Sequence, residues 1–135
     1  MNTQKKILIV NDNPYYVRAI KTMLESPYYS VEEAYTFDEG FDALNKGGVD
    51  LLILDMMMEY DAEGILFAVK VRKDTRFSDL PLLMTMDMER TISFFPEGKL
   101  IIQKFPHVSA ILEKPITVER LLDKVDSLLG SKMWH

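Results

Sequence analysis

The chain has no cysteine and only two histidines, His107 and His135, among its 135 residues. The missing thiols exclude disulfides, thiolate metal sites and cysteine nucleophiles. Two histidines are too few for a histidine-built zinc centre. Long apolar runs are also lacking. No stretch approaches the ~20 residues that a membrane-spanning helix needs. The opening MNTQKKILIVND carries two lysines and then only four apolar residues, too short for the core of a secretory leader. Nor is there an excess of positive charge. With 21 acidic residues against 16 basic ones the net charge is -5, which argues against direct binding of nucleic acid. What is present is 47% hydrophobic and 27% charged, the mix of a soluble globule with material for one core. The length predicts one domain over residues 1–135, with a core from about 5 to 130 and a patternless, frayed tail at 131–135. An intracellular protein is the simplest expectation.

Short apolar runs alternate with helix-like segments along the chain. Lys6–Val10 (KILIV) is apolar and β-branched. Asn13 can cap a helix after it, with Pro14 in the first turn. Val17, Ile20, Met23 and Leu24 then recur at helical spacing through Tyr15–Ser26, where Pro27 stops the helix. Ser30–Tyr35 is a weaker strand. Phe37–Asn45 is a helix with Phe37, Phe41 and Leu44 on one face and Gly47-Gly48 at its end. Leu51–Leu54 (LLIL) is a strand buried on both faces. Gly64–Lys73 is helical, with Ile65, Ala68, Val69 and Arg72 at near-helical spacing. Leu80–Met86 is a fourth strand. Residues 88–105 predict two short helical pieces around a break at 96–98. Ser109–Leu112 is a fifth strand. Thr117 caps a last helix whose apolar face is Val118, Leu121, Leu122, Val125, Leu128 and Leu129, and Gly130 ends it. This order is β-α repeated, which predicts an α/β fold: a (βα)5 sandwich of three layers around a parallel sheet.

Open sheets of this kind bind ligands outside the carboxyl ends of their strands, where strand order reverses. The residues there are Asn11 and Asp12 after the first run and Asp55 after the third. Met86 and Asp87 follow the fourth, and Glu113, Lys114 and Pro115 the fifth. With strand order 2-1-3-4-5, Asp12 stands beside Asp55 and Lys114 can reach across.

The motifs at these positions carry a resemblance. ILIVNDNP is similar to the first strand and acidic pair of the response-regulator receiver domain, the phosphoacceptor of two-component signalling. DLLILDMMM resembles that family's third strand with its phosphoacceptor aspartate. ILEKPI resembles its fifth-strand Lys-Pro motif. All three occur in family order over nearly the whole chain. The resemblance implies a flavodoxin-like, doubly wound fold. It implies that Asp55 accepts a phosphoryl group from a sensor histidine kinase or a phosphotransfer protein. It also implies that Asp12, Asp55 and the backbone carbonyl of Met57 hold Mg²⁺, and that Lys114 pairs with the phosphoryl group. Such a domain is a phosphoacceptor in the cytoplasm, not an enzyme beyond its own phosphorylation and dephosphorylation. Chemistry agrees with these roles. An aspartate attacks a dianionic phosphoryl group only where charge is neutralised, which Mg²⁺ on oxygen ligands and a compact ammonium supply.

Four departures from the family pattern stand out. The acidic pair is Asn11-Asp12: Asn11 still offers an oxygen to the metal as a weakened ligand, but one formal charge is gone and weaker Mg²⁺ binding is expected. The usual Thr or Ser at the end of the fourth strand is Met86, followed by Asp87 in place of a small residue. Met86 cannot donate to a phosphoryl oxygen. Thr85, one residue earlier, is expected to point to the other face and to rescue the position only through a bulge. The aromatic switch position of the fifth strand is Ile111. Finally, the loop after Asp55 has Glu59 where the family tends to have Pro, and the stretches before Gly64 and before Lys114 are longer.

No output domain follows Gly130, so a stand-alone receiver would be read by a separate downstream protein, unless the chain has been cut. The helical stretch before the fifth strand, that strand and the last helix form the expected contact face, for such a partner or for a homodimer. Two other readings compete. Asn11, Met86, Asp87 and Ile111 also suit a pseudo-receiver, a binding module that works without phosphorylation. A flavodoxin-like cofactor or nucleotide enzyme would need a Gly-, Ser- or Thr-rich loop after the first strand to cradle phosphate. Asn11-Asp12-Asn13-Pro14 opposes this, because Pro lacks an N–H and Asp repels phosphate.

Overall fold

The structure, a computed structural model, describes residues 4–56, 63–87 and 108–130. Its strands are β1 (Lys5–Val10), β2 (Tyr29–Ala34), β3 (Leu51–Asp55), β4 (Leu82–Met86) and β5 (Ala110–Glu113). All neighbouring pairs are parallel, in the order β2-β1-β3-β4-β5. The helices are α1 (Pro14–Leu24), α2 (Phe37–Lys46), α3 (Glu63–Lys73) and α4 (Val118–Leu129), with a 3₁₀ turn at Thr75–Phe77. This is the parallel α/β sheet that the alternating pattern predicts, in the flavodoxin-like form that the resemblance implies. The expected helical pieces in 88–105, Met57, His107 and the tail lie outside the described residues. Among the described residues no helix is long and apolar enough to cross a membrane.

Every residue of β3 and β4 is buried because the sheet is covered on both faces. Alternation divides the apolar side chains between two clusters. Leu8, Val10, Leu52, Leu54, Leu82, Met84 and Met86 face α2 and α3. Ile7, Ile9, Leu51, Ile53, Leu83 and Leu112 face α1 and α4. This parity decides which residues meet at the carboxyl edge, as described below.

Local chemistry sets the helix starts. Asn13 caps α1, its Oδ1 accepting from the N–H groups of Tyr15 (3.0 Å) and Tyr16 (3.3 Å), with Pro14 in the first turn. Thr117 caps α4 by accepting from the Arg120 N–H, and Gly130 ends it in the left-handed region at φ 66°.

Three expectations shift. β2 begins at Tyr29, not Ser30, and the fully buried members of that strand are Tyr29 and Ala34, while Val31 is half-buried. In α3 the buried set is Ile65, Phe67, Ala68 and Val71, whereas Val69 is only partly covered. Phe67 enters because it stacks on Phe37, ring centroids 4.8 Å apart, and meets Phe41 edge-on. Arg72 is not part of that face: its guanidinium donates to the Phe77 carbonyl at 2.8 Å and secures the 3₁₀ turn.

Tyr29 also joins the sheet to α4. Its hydroxyl donates to Asp126 Oδ1, and both residues are buried. A hydrogen bond to a buried carboxylate is worth about 1.5–3 kcal/mol. Tyr29→Phe is therefore expected to lower unfolding free energy by about that amount. A urea unfolding curve with unchanged slope would show it.

Candidate functional site

The carboxyl edge of the sheet collects Asn11, Asp12, Asp55, Thr85, Met86, Asp87 and Lys114. Register and parity place each of them. β1 pairs with β3 as Val10↔Leu54, so Asn11 lies level with Asp55. β3 pairs with β4 as Asp55↔Thr85. Alternation then puts Asn11, Asp55, Thr85 and Lys114 on the face of α1 and α4. Backbone bonds fix the edge further: Met56 N–H donates to the Thr85 carbonyl at 2.9 Å, and Lys114 N–H to the Met86 carbonyl at 2.7 Å. The Lys114–Pro115 peptide is cis.

Asp55 is the centre of this group and is 6% exposed. Its Oδ2 accepts from the Lys114 ammonium at 2.6 Å and from the Asn11 side-chain amide at 3.0 Å. Asn11, itself buried, turns its other end to the backbone, its Oδ1 accepting from the Asn13 N–H at 2.8 Å. One amide thus links Asp55 to the residue that caps α1. Asp12 is partly exposed at the same edge and is not the cap.

The residues expected to be altered divide between the two faces. Met86 is buried in the α2–α3 cluster, and Ile111 packs against that same cluster. Thr85 does point away from Met86, as alternation requires, but the face it occupies is that of Asp55. Asp87 is exposed just past β4. Met57 lies outside the described residues.

Tyr16 is the member that the sequence motifs do not mark. The Lys114 ammonium lies over its ring, 4.6 Å from the centroid. Burial pushes the Tyr16 phenol up to about 12; the nearby Thr85 hydroxyl opposes that rise and the Asp55 charge adds to it. The two hydroxyls are close enough to influence one another, yet no hydrogen bond of ordinary geometry joins them, and among the described residues neither buried oxygen has a partner. Helical phase was the available signal. Tyr16 follows the cap by one turn and precedes the buried Val17, whereas Tyr15 is 87% exposed.

Among the described residues no three of His, Cys, Asp and Glu come together as a ready-made metal cage. Asp12 and Asp55 are the carboxylates expected to act as metal ligands. Mg²⁺ takes one or two carboxylates and keeps several waters, so this donor set fits it with few protein ligands. Asn11 directs its amide to Asp55 and to Asn13.

Comparison with known proteins gives consistent results. The family "Response regulator receiver domain" matches residues 7–126. The DNA-binding dual master transcriptional regulator RpaA of Synechocystis sp. is 28% identical over 127 residues, 92% of this chain and 48% of that protein. Hybrid signal transduction histidine kinase D of Dictyostelium discoideum is 30% identical over 129 residues, 93% of this chain but 8% of its own length. The chain thus spans at most about half of these relatives. Among solved structures, chemotaxis response regulator CheY4 of Vibrio cholerae superposes with a TM-score of 0.75 at 27% identity, covering 94% of this chain and all of that one. A sensor protein from Polaromonas sp. JS666 superposes with a TM-score of 0.78 at 23% identity, over 93% of this chain and 96% of that chain, and shows the fold.

Proposed function

Because the chain belongs to the response regulator receiver family of two-component signalling, we propose that it accepts a phosphoryl group on Asp55 and signals through protein contacts. The observation that carries this reading is the Lys114 ammonium, 2.6 Å from a buried Asp55 oxygen at the strand-switch edge. A carboxylate oxygen of Asp55 would attack the phosphorus of a phosphohistidine on a sensor kinase or phosphotransfer protein. The new P–O bond forms as the P–N bond breaks, and the imidazole departs with the electron pair. Lys114 supplies positive charge to the transferring group. Mg²⁺, held weakly by Asp12, Asp55 and a loop carbonyl, would neutralise further oxygen charge when bound. Thr85 is the hydroxyl on the Asp55 face that can serve where Met86 cannot. A separate partner protein would read the result, and a homodimer through the β5–α4 side is the other contact we propose.

A second reading is favoured by one observation. The Asn11 amide donates to the same oxygen as Lys114, so the described residues of the chain itself already supply donors to Asp55. That arrangement suits a pseudo-receiver, a binding module that holds one shape without phosphorylation.

Incubation with acetyl phosphate at millimolar Mg²⁺, followed by intact mass, separates the two. The expected result is one phosphoryl group on the wild-type chain and none on Asp55→Ala. A wild-type chain that gains no mass and binds no beryllofluoride would sink the acceptor reading and leave the pseudo-receiver.

A further inference from the structure

The Lys114 side chain ends in a compact charge on a flexible four-carbon stem. Holding it at one point requires more than one contact. Among the described residues two are present: Asp55 Oδ2 at 2.6 Å and the face of the Tyr16 ring at 4.6 Å from its centroid. The ring itself is well anchored. Tyr16 lies in the first turn of α1, its N–H bonded to the cap Asn13 and its hydroxyl buried beside Thr85. Asn13 is in turn bonded to Asn11, which holds Asp55 from the other side. The start of α1 therefore grips both partners of the Lys114–Asp55 pair. A phenol pushed up to about 12 stays neutral across the physiological range, so the ring meets the ammonium as a π-face and not as an anion. On β5, by contrast, Ile111 packs toward α2 and α3, on the opposite face of the sheet.

We propose that Tyr16 is a positioning residue that seats the Lys114 ammonium on Asp55, so that the aromatic group beside the acceptor comes from α1 and not from β5. The seat stands on geometry alone; its consequence for phosphoryl transfer rests on the reading of Asp55 as acceptor.

Three variants of the full chain test it. Tyr16→Phe keeps the ring, while Tyr16→Leu and Tyr16→Met remove it. Met is flexible enough to fill the gap should the Leu variant not fold. The first readout needs no phosphodonor. The Lys114 ε-methylene protons, assigned with Lys114→Arg, should be shifted upfield by the ring in wild type and Tyr16→Phe, and should lose that shift in Tyr16→Leu and Tyr16→Met. The second readout is phosphoryl uptake against acetyl phosphate concentration at fixed Mg²⁺. Its maximal rate should fall about tenfold in the Leu and Met variants, with half-saturation within about twofold of wild type, while Tyr16→Phe stays near wild type. Circular dichroism melts confirm that the compared variants are folded. A Lys114 signal indifferent to loss of the ring overturns the seat. Equal uptake by Phe, Leu and Met variants overturns its role in transfer. A wild-type chain that takes no phosphoryl group overturns the acceptor reading, and the Lys114 signal then still decides the seat.

Discussion

Gly64→Ala is expected to cost about 3 kcal/mol or more of stability, the largest loss from adding a Cβ at any described glycine. Gly64 lies in the first turn of α3. A Cβ there would stand 1.9 Å from the Asp55 carbonyl oxygen, 2.7 Å from the Met56 carbonyl oxygen and 2.9 Å from the Asp55 carbonyl carbon. All three atoms are backbone, so no rotamer change relieves the contact. The atoms that must retreat belong to the end of β3 and carry the candidate acceptor. Phosphoryl uptake on Asp55 should therefore fall together with the urea midpoint. Gly48→Ala is the control. Its added Cβ meets open space, and only the positive φ of 81° opposes it. That strain is worth about 1 kcal/mol, and the site should be untouched. Equal losses in the two variants would show that the close approach of α3 to β3 is not what requires glycine.

Asn11→Asp should reverse the balance between the resting site and the metal. The amide now donates to Asp55 at 3.0 Å. A carboxylate in its place removes a donor to a charged group and sets two negative charges side by side in a buried position. Loss of the bond alone costs about 1.5–3 kcal/mol, and repulsion adds to it. Without divalent cations, the variant should be destabilised by at least about 2 kcal/mol in urea. With saturating Mg²⁺ most of that loss should return, because a carboxylate added to Asp12 and Asp55 raises affinity for a hard cation. Calorimetric titration should show Mg²⁺ binding at least about tenfold tighter than wild type. Unchanged stability in the absence of metal would mean that the Asn11–Asp55 bond contributes little to the resting site.

Much of this arrangement could be read from the chain. The runs KILIV, LLIL and LLMTM are each followed by a polar residue, and a parallel α/β sheet brings such ends to one edge. Asp12, Asp55 and Lys114 are therefore expected together, and the structure brings Lys114 to Asp55 but sets Asn11, rather than Asp12, level with it. The α3 stretch was harder. ILFAVKV is apolar on nearly every side, so its period does not say which residues face the sheet. Tertiary contacts decide: Phe67 is 3% exposed and its neighbour Leu66 is 70% exposed. Thr85 was harder still. Alternation separates it from Met86, but which of the two shares a face with Asp55 depends on the β3–β4 register, a pairing between distant segments. Tyr16 escaped notice because nothing local marks a tyrosine as a cation's seat. Its partner, Lys114, lies far along the chain, just past β5.

Asn11 has one further consequence. Beside the charged Lys114 it offers the Asp55 oxygen a dipole, and it is covalently part of the fold. A bound ion exchanges with the medium, so a chelator, a competing cation or a fall in supply can withdraw it. An amide polarised by the Asn13 N–H on its oxygen cannot be withdrawn in that way. Being buried, it is also little screened by salt. The unmodified state of this protein should thus hold its shape through swings in mineral content that would loosen a site balanced by metal alone, and a cell short of magnesium would not mistake that shortage for a signal.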